Sequence, residues 1–187
     1  TVDDIVFTHL IDGCCQVSNV LLAEQLFRDM IKAQIKPTVY TLTGLVKVYG
    51  KCGMSEKAMA FVASMEQSYG VAPTVVVYTC VVSGLLRQKK YPEAYTCFQQ
   101  MMERCELDTH CVQTMLYGLG EGMMWSQYND VAAQFLARGV PPLSPDCLNH
   151  ALLQMADKGS AQSARVLHGM MQKYGVEVQE PVRQKLQ

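Results

Sequence analysis

AQIKPT at residues 33–38 returns as YGVAPT at 69–74, as RGVPPL at 138–143 and as YGVEVQ at 174–179. The first two turns end 36 residues apart, at Thr38 and Thr74, and the last two end 36 apart, at Leu143 and Gln179. The 69 residues from Thr74 to Leu143 hold two further periods, with CELD at 105–108 as the worn turn between them. Self-similarity at one fixed period marks a stack of supersecondary units, none of which can bury its apolar face alone. Five units follow, at about 4–38, 39–74, 75–108, 109–144 and 145–179, as one array over residues 1–187. Residues 180–187 remain as a cap or the start of a sixth.

Each unit repeats one internal plan. A first apolar-periodic stretch, such as FTHLIDGCC at 7–15 or VVVYTCVVSGLL at 75–86, meets a short break: KCGMS at 51–55, RQKKYP at 87–92, DKGSA at 157–161. A second stretch then carries apolar residues at i, i+3, i+4 and i+7, as in Ala23, Leu26, Phe27 and Met30, or Ala94, Cys97, Phe98 and Met101. That spacing draws one buried stripe along a helix. Pro92 stands where a second helix begins, a position at which the missing N–H costs nothing. Gly70, Gly139 and Gly175 stand where second helices end and a left-handed cap is wanted. The pattern predicts ten helices in five hairpins and an all-α fold, a right-handed α–α superhelix of units about 35 residues long.

Bulk composition narrows the function classes. Hydrophobic residues make up 49% of the 187, ample for a continuous core, and charged residues only 18%. The net charge of -1 gives no general attraction to nucleic acid or to a membrane, so any basic surface must be local. No apolar run approaches the roughly 18 residues of a membrane span. The first residues, TVDDIVFTHL, enter a helical pattern directly and read as part of a longer chain. The eight cysteines show no C-x-x-C spacing, so they read as small hydrophobic packing groups in a reducing compartment, with no metal site. His9, His110, His150 and His168 are scattered, without the spacing of a metal site or a catalytic pair.

Five segments carry a family resemblance. FTHLIDGC at 7–14 places an aromatic residue two positions before Leu-Ile-Asp-Gly, and AEQLFRDMIKAQIKPT at 23–38 follows in the same style. KVYGKCGMSEKAMAFVASM at 47–65, VVYTCVVSGLL at 76–86 and YPEAYTCFQQM at 91–101 extend it. These segments resemble the pentatricopeptide repeat family closely over the first three units and more loosely over the last two, where Tyr128 replaces an expected alanine. The Trp-Leu-Gly-Tyr type signature of tetratricopeptide repeats is not found, and the sole tryptophan, Trp125, opens a second helix instead.

The resemblance implies an organellar protein, mitochondrial or plastid, that binds single-stranded RNA without catalysis and acts in RNA processing, stability or translation. In such repeats the fifth and last residues of a unit meet the base edge and the second residue sandwiches the base. Carried over, the fifth positions are Thr8, Thr43, Thr79, Gln113 and Asn149, and the last are Thr38, Thr74, Asp108, Ser144 and Gln179. The second positions are Ile5, Tyr40 and Val76, which can act as wedges, followed by His110 and Asp146, which cannot. Thr79 with Asp108 resembles a combination that prefers guanine, and Asn149 leans toward a pyrimidine. Phosphate contacts fall to Lys51 and Arg87, since the corresponding Gln16, Glu121 and Asp157 carry no positive charge.

Plainer readings stand beside these. Threonine at a fifth position also suits any exposed helix face, Asp108 suits a helix N-cap, and Lys89 and Lys90 suit solvated loop charge. The 12 methionines, several on second helices, suggest a sticky outer face. The alternative function is therefore a protein-docking scaffold subunit of a large organellar complex, ribosome-like or energy-transducing, with a degenerate RNA groove. Enzymatic readings fail on inventory. The sequence holds no G-x-S-x-G, P-loop, Gly-rich dinucleotide turn or deaminase signature, and no cofactor or small-molecule substrate is implied.

Overall fold

The computed structural model describes residues 3–138, 145–158 and 160–186. Among them the chain is helical without strands: α1 (Asp4–Gln16), α2 (Val20–Lys32), α3 (Val39–Lys51), α4 (Ser55–Tyr69), α5 (Val75–Arg87), α6 (Tyr91–Arg104), α7 (Thr109–Glu121), α8 (Trp125–Ala137), α9 (Pro145–Asp157), α10 (Ala161–Lys173) and α11 (Glu180–Leu186). They form two compact units, Thr1–Glu106 and Leu107–Gln187.

The helix starts follow local chemistry. Asp3, Asn19 and Asp108 each accept a hydrogen bond from the backbone N–H three residues on, at Val6, Leu22 and Cys111. A side-chain acceptor at this position answers one of the orphan donors of a first turn. Thr38 does the same for Thr41, and Thr41 answers back to the Thr38 N–H, which closes a capping box. Pro92 lies in the first turn of α6. Gly70 and Gly175 follow α4 and α10 with φ of 66° and 69°, the left-handed region. Gly139 lies outside the described residues.

In the first compact unit α1, α3 and α5 form a row, with α2, α4 and α6 packed as hairpin partners. Ile11, Leu42, Leu45, Met65, Phe98 and Met101 are buried between them. Phe27, Phe61 and Tyr69 meet edge-on or tilted at 5.5–6.0 Å between α2 and α4. The row is tight where α3 and α5 meet, for a Cβ added at Gly84 would stand 2.8 Å from the Gly50 Cα. In the second unit α7 pairs with α8 and α9 with α10. There α7 packs on α9, α8 on α10 and α11 on α9.

The expected methionine-rich outer face is not there. Met30, Met65, Met101, Met115, Met155 and Met171 are fully buried, and among the described residues only Met54 and Met123 are exposed, both in turns. The unbranched side chain fills gaps between stacked helices, so Met30, Met65, Met101 and Met171 of the second helices went inward, while Met59, Met102 and Met170 are half-buried. Exposed apolar residues lie elsewhere. Val6, Leu10 and Val17 of the α1 region stand open, while the equivalent Thr41 and Leu45 of α3 are buried beside α1.

Candidate nucleic-acid interface

The second and fifth positions of each unit are three residues apart and so share one helix face. Ile5 with Thr8, Tyr40 with Thr43 and Val76 with Thr79 all start the first helix of a hairpin. Their neighbours Phe7, Leu42 and Val77 turn inward and are buried, which forces the second position outward. Ile5 is 60% exposed, Tyr40 74% and Val76 52%, a large price in apolar hydration for three side chains on one row of helices. Tyr40 and Val76 line a groove of about 550 Å³ with Thr8, Thr43 and Thr74.

The threonines offer acceptors. Thr43 Oγ1 donates to the Val39 carbonyl at 2.6 Å, and Thr79 Oγ1 donates to the Val75 carbonyl at 2.7 Å. A hydroxyl has one proton and two lone pairs, so with the proton spent inside its own helix each oxygen can only accept. Thr8 is placed differently. Its Oγ1 lies 2.7 Å from Thr41 Oγ1, which lies 3.2 Å from Thr38 Oγ1. The fifth and last residues of the first unit are thus joined through the third residue of the second. Thr41 was missed by the carried-over positions. Its signal is the Thr38-x-x-Thr41 spacing of a capping box.

The remaining expected residues are distributed unevenly. Thr74 is exposed at the start of α5, without a side-chain cap bond. Asp108 is exposed and is spent in part on the Cys111 N–H at 2.8 Å. Thr79 belongs to the first compact unit and Asp108 to the second. Gln113 is half-buried on α7, and Ser144 lies outside the described residues. His110 and Asp146, the second positions of the later units, are exposed.

Asn149 departs from the expectation for it. It is 2% exposed, its amide donates to the Pro145 and Glu177 carbonyls at 2.8 and 2.9 Å, and its oxygen accepts from the Gln179 N–H at 2.9 Å. With both donors committed, this side chain fastens the α10–α11 turn onto α9 and has none to give a base. Gln179 is held too, donating to Asp146 Oδ1 at 2.8 Å. The expected triple of the fifth unit is brought together, but its members are bonded to one another. Tyr117, which the carried-over positions do not include, stands 65% exposed in a groove of about 370 Å³ beside Asp146 and His150.

The cations also divide. Lys51 Nζ donates to the Cys15 and Gln16 carbonyls at 2.9 and 3.1 Å, at the end of α1. That engagement competes with the phosphate contact expected of it. Arg87 is exposed in the last turn of α5. Glu121 and Asp157 are exposed, and Asp157 pairs with Lys185. No group of three or more His, Cys, Asp or Glu among the described residues could hold a metal ion, and no described helix is long and apolar enough to cross a membrane. Burial pushes the Cys97 thiol up to about 11 and Cys111 up to about 12, which makes both poor nucleophiles at neutral pH.

Paired helices stacked at this period define a helical-repeat protein. A model of the PPR repeat family matches residues 2–51, and a PPR repeat model matches 40–69 and 76–105, together just over half of the chain. The chain belongs to the pentatricopeptide repeat (PPR) family. A mitochondrial pentatricopeptide repeat-containing protein of Arabidopsis thaliana is 25% identical over 175 residues, 92% of this chain and 24% of its own length. The mitochondrial 15S rRNA processing factor CCM1 of Yarrowia lipolytica is 32% identical over 100 residues, 52% of this chain and 13% of its own. The pentatricopeptide repeat protein PPR10 from maize superposes with a TM-score of 0.81 at 16% identity, over 99% of this chain and 26% of that one. The same protein solved with an 18-nt psaJ RNA element gives 0.66 at 17% identity, over 98% and 27%. At such identities the likeness shows the fold. The chain spans about a quarter or less of the curated relatives it matches.

Proposed function

We propose that this chain is a non-catalytic RNA-binding array that acts in organellar RNA processing, stability or translation, in a mitochondrion or plastid. The observation that carries the reading is the groove of the first compact unit. Exposed Tyr40 and Val76 stand there with Thr8, Thr43 and Thr74, and the oxygen of the largely buried Thr43, whose proton goes to Val39, can only accept. A flat aromatic beside an acceptor is what an unstacked base needs, one surface to lie on and one partner for its N–H edge. The relatives point the same way. PPR10 was solved with RNA, and the Yarrowia factor is named for rRNA processing in the mitochondrion.

Base reading is assigned to Thr8 with Thr38, to Thr43 with Thr74 and, each within its own compact unit, to Thr79 and to Asp108, with Gln113 and Ser144 as an undecoded pair. Ile5, Tyr40 and Val76 supply the sandwiching, and Arg87 a phosphate contact. The test is a titration of the 187-residue chain against a pool of short single-stranded RNAs, followed by sequencing of the bound fraction. Sub-micromolar binding with guanine enriched at one register is expected, and Thr79→Asn should move that register from purine toward pyrimidine. Unchanged base preference in Thr79→Asn, with binding intact, would sink the assignment of Thr79.

The protein-docking reading rests on one feature, the exposed Val6, Leu10, Val17 and Leu21 at the α1–α2 hairpin. The burial of Met30, Met65, Met101 and Met171 weakens the other argument for it.

A further inference from the structure

We infer that Lys47, not Lys51, is the cation that α3 offers to an RNA phosphate, and that Asp12 is the internal counter-ion it leaves on binding. This rests on the RNA-binding reading and adds to it a residue and an exchange of partners.

Lys47 follows Thr43 by four residues and Tyr40 by seven, so all three lie along one stripe of α3. The stripe forms part of the groove wall, where Lys47 lines the same 550 Å³ as Thr43 and Tyr40. Its Nζ stands 3.8 Å from Asp12 Oδ1, beyond hydrogen-bond distance, with the two side chains 45% and 52% exposed. A loose pair this exposed is worth little, so a phosphate oxygen can take the place of the Asp12 carboxylate at small cost. Asp12 also lines the groove, where its charge opposes an incoming RNA backbone. The pair holds the cation over the groove and screens it until a polyanion arrives.

Lys51 stands in the opposite situation. Both its hydrogen bonds go to carbonyls at the end of α1, and diverting it would give up both of them. One turn of α3 therefore separates a lysine spent on the fold from a lysine available to a ligand.

The experiment measures the affinity of the 187-residue chain for a fluorescein-labelled pool of random single-stranded 12-mer RNAs, across 50 to 200 mM NaCl. Wild type, Lys47→Gln, Lys51→Gln and Asp12→Asn are compared, with circular dichroism melting as the check on folding. Lys47→Gln should weaken binding several-fold at low salt and flatten the slope of log K against log salt by about 0.7, one released counterion contact. Asp12→Asn should tighten binding about two-fold or more, by the removal of a like charge from the path of the backbone. Lys51→Gln should lower the melting temperature and leave the slope unchanged. A Lys47→Gln slope equal to wild type, or a slope lost in Lys51→Gln instead, would overturn the inference while leaving RNA binding intact. A wild type that binds no RNA at 50 mM NaCl would overturn the RNA reading, and the inference with it.

Discussion

Thr8 Oγ1 and Thr41 Oγ1 lie 2.7 Å apart across the α1–α3 contact, and Thr41 is the fully buried member of the pair. Thr41 also answers Thr38, so one hydroxyl serves a helix cap and a contact between repeats. Thr41→Val keeps the shape and removes the hydroxyl. It should cost about 1–2 kcal/mol, the usual range for losing a capping partner and stranding a hydrogen-bond partner. A urea midpoint within error of wild type would show that the chain of hydroxyls carries no stability.

Gly84 faces Gly50 with no room for a methyl group, since the added Cβ would stand 2.8 Å from backbone. Backbone cannot swing aside as a side-chain tip can, so Gly84→Ala must push α5 away from α3. The expected loss is about 1–3 kcal/mol in chemical denaturation. At Gly44 the nearest atom is Ile11 Cγ2 at 3.3 Å, and Gly44→Ala should cost less. The reverse ranking would contradict the packing described.

The turn between first and second helices holds a left-handed residue in four hairpins. Gly53 has φ of 76°, while Ser18, Lys89 and Met123 reach 55°, 59° and 54° with a side chain. An L-residue pays roughly 1–2 kcal/mol there. Met123 is 54% exposed, so it recovers little by burial. Met123→Gly should therefore raise stability by about 0.5–1 kcal/mol after the extra chain entropy of glycine. A lowered melting temperature would refute the strain.

Glu24 ties α2 to α4 through Lys57, whose hydrogen bond holds the Glu24 carboxyl below its ordinary value. A depressed folded pKa contributes stability above the unfolded value of about 4.5, lost as the pH falls through the folded one. Lys57 is 46% exposed, so solvent screening keeps the contribution near 0.5–1 kcal/mol. Melting followed from pH 7 to pH 3 should show Glu24→Gln less stable than wild type at neutral pH, with the gap closing as acid is added. A gap independent of pH would place the effect in packing.

The helix boundaries were legible because caps and turns act over three or four residues, as at the starts marked by Asp108 and Pro92 and the end marked by Gly70. The exposure of Ile5, Tyr40 and Val76 was legible too, since the pattern that buries Phe7, Leu42 and Val77 leaves them outside. What the sequence left unread spans repeats. A lysine in a last turn looks alike whether it caps a neighbouring helix, as Lys51 does, or faces a groove. Asn149 reads as a surface amide until its partners at Glu177 and Gln179, 28 and 30 residues away, are in place. Methionine on a second helix fits core and patch equally, and only the closeness of neighbouring helices decides.

The central claim is that exposed Tyr40 is a stacking surface for RNA. The most direct measurement compares the affinity of wild type and Tyr40→Ala for the same single-stranded RNA pool at low salt. Loss of one stacked base costs about 1–3 kcal/mol, so the variant should bind at least about five-fold more weakly while melting at the wild-type temperature. Equal affinities, or no RNA binding by either protein, would contradict the account.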